Sequence, residues 1–345
     1  MTHGPSAVSS SITSSRDSDR TDLLGGRSPQ IWWAWSACAQ NHSTLTRIRE
    51  PDDNAVHEQP VGSRQLINAS APLHDTPATE SSAHEGIPHY IPVGNEREIF
   101  LAAHAANRPI LIKGPTGCGK TRFVEAMAGE LGIDTYTVAC HEDLTAADLV
   151  GRHLLRGADT VWVDGPLTRA VRTGGIAYLD EIVEARQDVT VVIHPLTDYR
   201  RVLPIDRLGQ QLKAPDSFTL VVSYNPGYQN AIKDLKDSTR QRMVAISLDF
   251  PPPEIESEIV RYETGLDGAL LDSLIALGQA IRSVDAPGLR EVASTRTLVC
   301  AGGLIVAGLE PRVACRAAIA EPLTDDASLT AGLTELVNTF ITVKS

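Results

Sequence analysis

Between residue 86 and about residue 250, apolar runs of strand length alternate with stretches whose apolar positions recur at helical spacing. Pro109 to Ile112, Gly175 to Leu179, Phe218 to Tyr224 and Val244 to Leu248 are continuous runs. Runs without polar alternation suit strands buried on both faces of a parallel sheet. The intervening pattern Phe123, Met127, Leu131 has helical period. This predicts an α/β domain over residues 86–250, with a parallel sheet covered by helices on both faces. Pro251-Pro252-Pro253 then breaks the chain, and apolar positions recur as Ile255, Ile259, Tyr262, then Leu270, Leu274, Leu277, then Leu298, Leu304, Leu309. Residues 251–345 are therefore expected to form a small α-helical lid. His153 to Val163 reads as a hairpin turning at Gly157, and Arg200 to Leu212 as a second candidate. Residues 1–85 are rich in Ser, Thr, Asp, Arg, Asn and Pro and show no sustained period, so they are expected to stay disordered. Ile31-Trp32-Trp33-Ala34-Trp35 interrupts that polar stretch. It reads either as a partner-docking patch or as upstream sequence from a wrongly assigned start.

The loops that follow three of these runs carry the candidate chemistry. After the first comes Gly114-Pro115-Thr116-Gly117-Cys118-Gly119-Lys120-Thr121, a complete phosphate-binding loop. Its glycines let successive N–H groups turn inward toward phosphate oxygens, at the positive end of the helix starting near Lys120. In such loops the lysine reaches the β- and γ-phosphates and the Thr121 hydroxyl ligates Mg²⁺. The second run ends in Asp180-Glu181, at the C-terminal end of a strand where phosphates gather. Asp180 is placed for the Mg²⁺ shell and Glu181 to polarise a water, which favours hydrolysis over a nucleotide switch. The third run exits at Asn225-Pro226-Gly227. Asn225 could orient the attacking water, though alone this tripeptide reads more readily as an ordinary turn, and only its order in the chain promotes it. Arg240 and Arg242 precede the fourth run, and on a helix they would point roughly 200° apart. One could act on a neighbouring subunit's phosphate; both could instead be surface ion pairs.

Phosphate loop, Asp-Glu strand, Asn strand and arginine pair, in this order, resemble an AAA+ P-loop ATPase. Lys113 to Val124, Val138-Ala139-Cys140, Asp148 to Arg152, Asp164 to Leu167, Tyr178 to Pro195, Ser223 to Tyr228 and Ser294-Thr295-Arg296 resemble the CbbQ/NirQ/NorQ branch of the MoxR-type ATPases. The resemblance runs from about residue 86 to the C-terminus. It implies that Gly114, Gly117, Gly119, Lys120 and Thr121 form the Walker A loop, Asp180 and Glu181 the Walker B pair, and Asn225 the first sensor. It implies Arg242 as arginine finger, with Arg240 as second candidate, and Arg296 as second sensor. Met243 departs from the family's usual phenylalanine beside the finger. Also implied are ATP and Mg²⁺, a homo-hexameric ring, hairpins facing the pore or client, and a partner with a von Willebrand factor A domain. The client would be rubisco, freed of inhibitory sugar phosphates, or nitric oxide reductase, matured by metal insertion; the residues do not choose between them.

Composition changes this picture only at its margins. The 345 residues carry a formal net charge of −12, which disfavours a nucleic-acid surface and with it a DNA-associated AAA+ motor. A nucleotide-dependent binding module that hydrolyses slowly is the other alternative, and the Glu181–Asn225 pair speaks against it. No run is long enough to cross a membrane. The five cysteines, Cys38, Cys118, Cys140, Cys300 and Cys315, are spread without metal-site spacing. A cytosolic protein with reduced thiols is expected, with Cys118 packing inside the phosphate loop rather than reacting.

Overall fold

The structure, a computed structural model, describes residues 88–342 apart from 158, 227–236, 285–288 and 290. The expectations for residues 1–85, and Gly227 of the Asn-Pro-Gly turn, lie outside them. The α/β part opens with α1 (Glu96–Ala105), β1 (Ile110–Lys113), α2 (Lys120–Leu131) and β2 (Thr135–Ala139). It continues with α3 (Ala146–Val150), β3 (Gly151–Arg156), β4 (Asp159–Asp164), α4 (Pro166–Thr173), β5 (Ile176–Asp180) and α5 (Gln187–Ile193). β6 (Val202–Ile205), β7 (Gln210–Lys213), β8 (Thr219–Tyr224), α6 (Asp237–Arg240) and β9 (Val244–Ser247) complete it.

Five strands form one parallel sheet in the order β2-β5-β8-β1-β9. The continuous apolar runs make sense once the two faces are separated, because successive side chains on a strand point oppositely. Ile110, Ile112, Ile176, Tyr178 and Val221 pack with Phe100 of α1 and Phe123, Val124 and Met127 of α2. Leu111, Ala177, Leu179, Leu220 and Val222 face the other way, onto Leu149 of α3 and Leu167, Ala170 and Val171 of α4. The two short antiparallel hairpins, β3–β4 and β6–β7, stand apart from the sheet and coincide with the two hairpins expected from the sequence.

β1 lies between β8 and β9. The chain leaves it for the far edge at β2, works back through β5 and β8, and only then crosses to β9. Because all five strands run parallel, the segments leaving β1, β5 and β8 emerge side by side at one edge of the sheet, where α/β proteins bind ligands.

The C-terminal part is all helical: α7 (Pro253–Thr264), α8 (Ala269–Arg282), α9 (Thr295–Val306), α10 (Pro311–Cys315), a π-helical turn at Arg316–Ala320, α11 (Glu321–Leu323) and α12 (Ala327–Phe340). It has its own apolar core, including Leu271, Leu274, Leu277, Leu298, Ile319 and Val337. Leu309, read as a helical position, falls instead in the loop after α9, since the backbone passes a glycine at φ +99° at Gly308. A buried polar cluster ties three of these helices together. Glu256 of α7, fully buried, accepts from Arg282 of α8 at 2.6 and 2.8 Å and from the Thr295 hydroxyl of α9 at 2.6 Å. A buried carboxylate is tolerated when its lone pairs are filled in this way. Ile91, ahead of α1, packs on Ile259 and Val299 and so joins the helical part to the α/β part.

Candidate active site

The loop Gly114–Thr121 connects β1 to α2 and must bend sharply in a crowded place. Gly117 and Gly119 adopt positive φ, +76° and +99°, which an L side chain rarely takes. A Cβ at Gly117 would also lie 2.6 Å from Ser294 Cβ and Oγ and 3.3 Å from Arg296 Cβ, so the helical part approaches the loop closely there. At Gly114 a Cβ would meet the Leu248 carbonyl oxygen at 2.7 Å and Cys118 Sγ at 2.8 Å. Cys118 is buried, and burial raises its thiol pKa above the ordinary value. A packed, protonated thiol fits the inert role expected of it.

Gly119 N-caps α2 without a side-chain hydrogen bond, which leaves the first turn's N–H groups to an anion. Lys120, 7% exposed, donates from Nζ to the Gly114 carbonyl at 2.9 Å and the Pro115 carbonyl at 3.3 Å. Its ammonium is also 3.6 Å from Glu181 Oε1. A buried ammonium held by its own loop's carbonyls is a cation poised for phosphate oxygens.

The Walker-type carboxylates come from the end of β5. Asp180 Oδ1 accepts from the Tyr178 hydroxyl at 2.8 Å and from the Ser223 hydroxyl, so the carboxylate cannot rotate freely. Its other oxygen, Oδ2, is 3.5 Å from Thr121 Oγ1. Burial first, then the neighbouring Asp180, raises the Tyr178 pKa well above its ordinary value and keeps the phenol a donor. Glu181 has φ +54° and ψ +48°, in the left-handed region. That conformation costs a non-glycine residue roughly 1–3 kcal/mol and is found at functional positions. Its amide donates to Ser223 Oγ at 3.2 Å, which stabilises the turn and directs the carboxylate toward Lys120.

At the exit of β8, Asn225 is 7% exposed and donates from Nδ2 to Thr116 Oγ1 at 3.1 Å. Arg296 reaches the same place from the start of α9, whose N-cap is the Ser294 side chain. Thr116, Gly117, Gly119, Lys120, Thr121, Asp180, Glu181 and Arg296 line a cleft of about 440 Å³ with Arg122 and Glu125. Arg122 and Glu125 were not singled out from the sequence. They lie one turn apart on the helix that begins at Lys120, which is the signal that could have found them. A second cavity, of about 280 Å³, is lined by Glu96, Cys118 and residues of β9.

The two arginines of the α6 region depart from the expected geometry. α6 ends at Arg240, so Arg242 lies in the following turn and the helical-period argument does not apply to it. They do diverge: Arg240 pairs with Asp237 at 3.8 Å and Arg242 with Asp198 at 3.9 Å. Neither lines the cleft of its own chain.

The residues present fit a nucleoside triphosphate with Mg²⁺. A backbone cradle, a buried ammonium, an uncapped helix start and a hydroxyl beside a fixed carboxylate match phosphate and cation chemistry together. Among the described residues, no helix is long and apolar enough to cross a membrane.

A five-stranded parallel sheet in which the strand feeding this loop, β1, is separated by β8 from the strand ending in Asp-Glu, β5, defines a P-loop ATPase of the AAA class. Residues 109–243 match the AAA domain (dynein-related subfamily), and residues 256–340 match the CbbQ/NirQ/NorQ C-terminal family. The denitrification regulatory protein NirQ of Stutzerimonas stutzeri is 57% identical over 72% of this chain and 91% of its own length. Protein NorQ of Paracoccus denitrificans is 56% identical over 75% of this chain and 96% of its own length. Protein CbbQ of Hydrogenophilus thermoluteolus is 56% identical over 70% of this chain and 91% of its own length. The chain belongs to the CbbQ/NirQ/NorQ family of AAA+ ATPases.

Proposed function

We propose that this ATPase works as a homo-hexameric ring that couples ATP hydrolysis to the activation of a client enzyme complex. The observation that carries hydrolysis is Glu181, held in a strained left-handed turn beside the Asp180–Thr121 pair with its carboxylate 3.6 Å from Lys120. Lys120 and the loop amides bind the phosphates. Thr121 and Asp180 would hold Mg²⁺, which when bound offsets charge on the phosphate oxygens. Glu181 takes a proton from water as its oxygen attacks the γ-phosphorus and the bond to ADP breaks. Asn225, anchored to Thr116, holds that water from the other side. Arg242, exposed and outside its own chain's cleft, acts on the γ-phosphate of the adjoining subunit, with Arg240 as the second candidate. Arg296 senses the γ-phosphate from the helical part, and Ser294 against Gly117 passes the change between them.

The client is drawn from the family. Relatives named for denitrification and the relative named CbbQ are similar to this chain to the same degree, so nitric oxide reductase and rubisco both stand as clients, with a von Willebrand factor A domain protein as partner. The hairpin β3–β4, with Leu155 79% exposed, is the surface offered to them. The test is a pull-down from native lysate with tagged Glu181→Gln, ATP and Mg²⁺, against Lys120→Ala. Expected is a von Willebrand factor A protein and one client enzyme with the first variant alone. Identical protein lists from both would mean that ATP does not control what the protein binds, and the activation reading would fall.

A further inference from the structure

The segment that carries Arg242 is tied to the base of the β6–β7 hairpin at two separate points. At the first, Asp198 bridges two guanidinium groups. Arg200 grips its carboxylate with Nε at 3.0 and 3.1 Å and Nη2 at 2.6 Å, and Arg242 Nη1 stands 3.9 Å from the same Oδ2. The Asp198 side chain is 16% exposed while those of Arg200 and Arg242 are 52% and 42% exposed, so the carboxylate is sheltered and its two partners face solvent. At the second, His194 Nε2 is 2.7 Å from Thr239 Oγ1, and Thr239 is 1% exposed.

The turn holding Asp198 is itself fixed to the hairpin. Arg201 has φ +49°, and its guanidinium donates to the carbonyls of Asn107, Pro215 and Phe218 at 2.8–3.0 Å. Its own carbonyl accepts from Ala214 at 2.8 Å, closing the far strand of the hairpin. Contacts run in series from the end of β7 to Arg201, from Arg201 through the turn to Asp198, and from Asp198 to Arg242, so displacing the hairpin bears on the Arg242 guanidinium.

We propose that Asp198 is a positioning residue that couples the β6–β7 hairpin to Arg242, so that whatever engages the hairpin sets hydrolysis in the adjoining subunit. This rests on Arg242 acting between subunits. Asp198 touches no nucleotide; it acts through the arginine, whose misplacement by about 1 Å is enough to cost on the order of a hundredfold in rate.

The experiment compares Asp198→Asn, Asp198→Glu and Thr239→Val with wild type in steady-state ATP hydrolysis, alongside Arg242→Ala. The Asn variant keeps shape and removes the charge. Its turnover is expected to fall about tenfold or more while KM for ATP moves less than about twofold, since Asp198 does not line the cleft proposed to hold nucleotide. Asp198→Glu recovers part of the loss, and Thr239→Val, which preserves volume, shows the same turnover-only defect. A plain structural role would lower the thermal midpoint and raise KM as well. Should Asp198→Asn fail to fold, Thr239→Val decides alone. Wild-type turnover in the folded variants, with Arg242→Ala inactive, overturns the coupling and leaves the role of Arg242 intact. Wild-type turnover in Arg242→Ala overturns the reading beneath it.

Discussion

Glu181→Gln is expected to bind ATP as tightly as wild type, within a few fold, and to hydrolyse it on the order of 10²–10³ times more slowly. Glutamine has the same shape and can occupy the same left-handed turn at φ +54°, so the loop need not rearrange. What it lacks is a proton acceptor. Asp180 is untouched by the change, because its orientation comes from Tyr178 and Ser223 rather than from Glu181. Lys120 loses one carboxylate neighbour at 3.6 Å but keeps the Gly114 and Pro115 carbonyls. Binding and chemistry therefore separate in this variant. Phosphate release and the affinity of a fluorescent ATP analogue, measured on one preparation, check both halves; near-wild-type release would remove Glu181 from the role of base.

Lys120→Ala acts on the other half. The ammonium is buried, so its attraction for phosphate is weakly screened, and replacing it leaves triphosphate charge in the cradle without that counter-charge. Removing one partner of such a pair costs about 3–5 kcal/mol. ATP affinity should fall by a factor of about 10² or more, and saturating hydrolysis should not be reached at millimolar ATP. Two carbonyls also lose their donor, and a modest fall in thermal midpoint accompanies the change. ATP should raise the midpoint of wild type and of Glu181→Gln but not of Lys120→Ala, because only a ligand bound to the folded state stabilises it. Equal stabilisation of all three would place the triphosphate elsewhere.

How much of this was legible in the sequence depended on whether a residue's role is local. β1, β5 and β8 stand out as apolar runs because each is buried on both faces, whereas β9, expected to be buried in the same way, is an edge strand in which Ile246 alone is buried. β2 does not stand out: it is the opposite edge strand, its Thr135–Ala139 side chains are mostly half-exposed, and only the family motif at Val138-Ala139 pointed to it. The phosphate loop, Asp180, Glu181 and Arg296, far apart in the chain, converge on one cleft, as expected from parallel strands ending at one edge. The support behind them is non-local and was missed. Tyr178 could have been found, since two residues before Asp180 on a strand is the same face. Ser223 needed the β5–β8 register, in which Leu179 meets Val222 and Asp180 falls beside it. Arg242 was placed on a helix that in fact stops at Arg240, because no residue between them announces the end. Asp198 lies more than forty residues before Arg242, and nothing in the intervening sequence links the two.

On the proposed reading, one hydrolytic site is built from two subunits, with Glu181 from one and Arg242 from the next. Purified Glu181→Gln and Arg242→Ala proteins should each be nearly inactive while still binding ATP. Mixed in equal amounts and allowed to exchange, they should regain up to about a quarter of wild-type turnover, since that fraction of interfaces then pairs an intact glutamate with an intact arginine. No recovery from variants that bind ATP and assemble together would contradict the shared site.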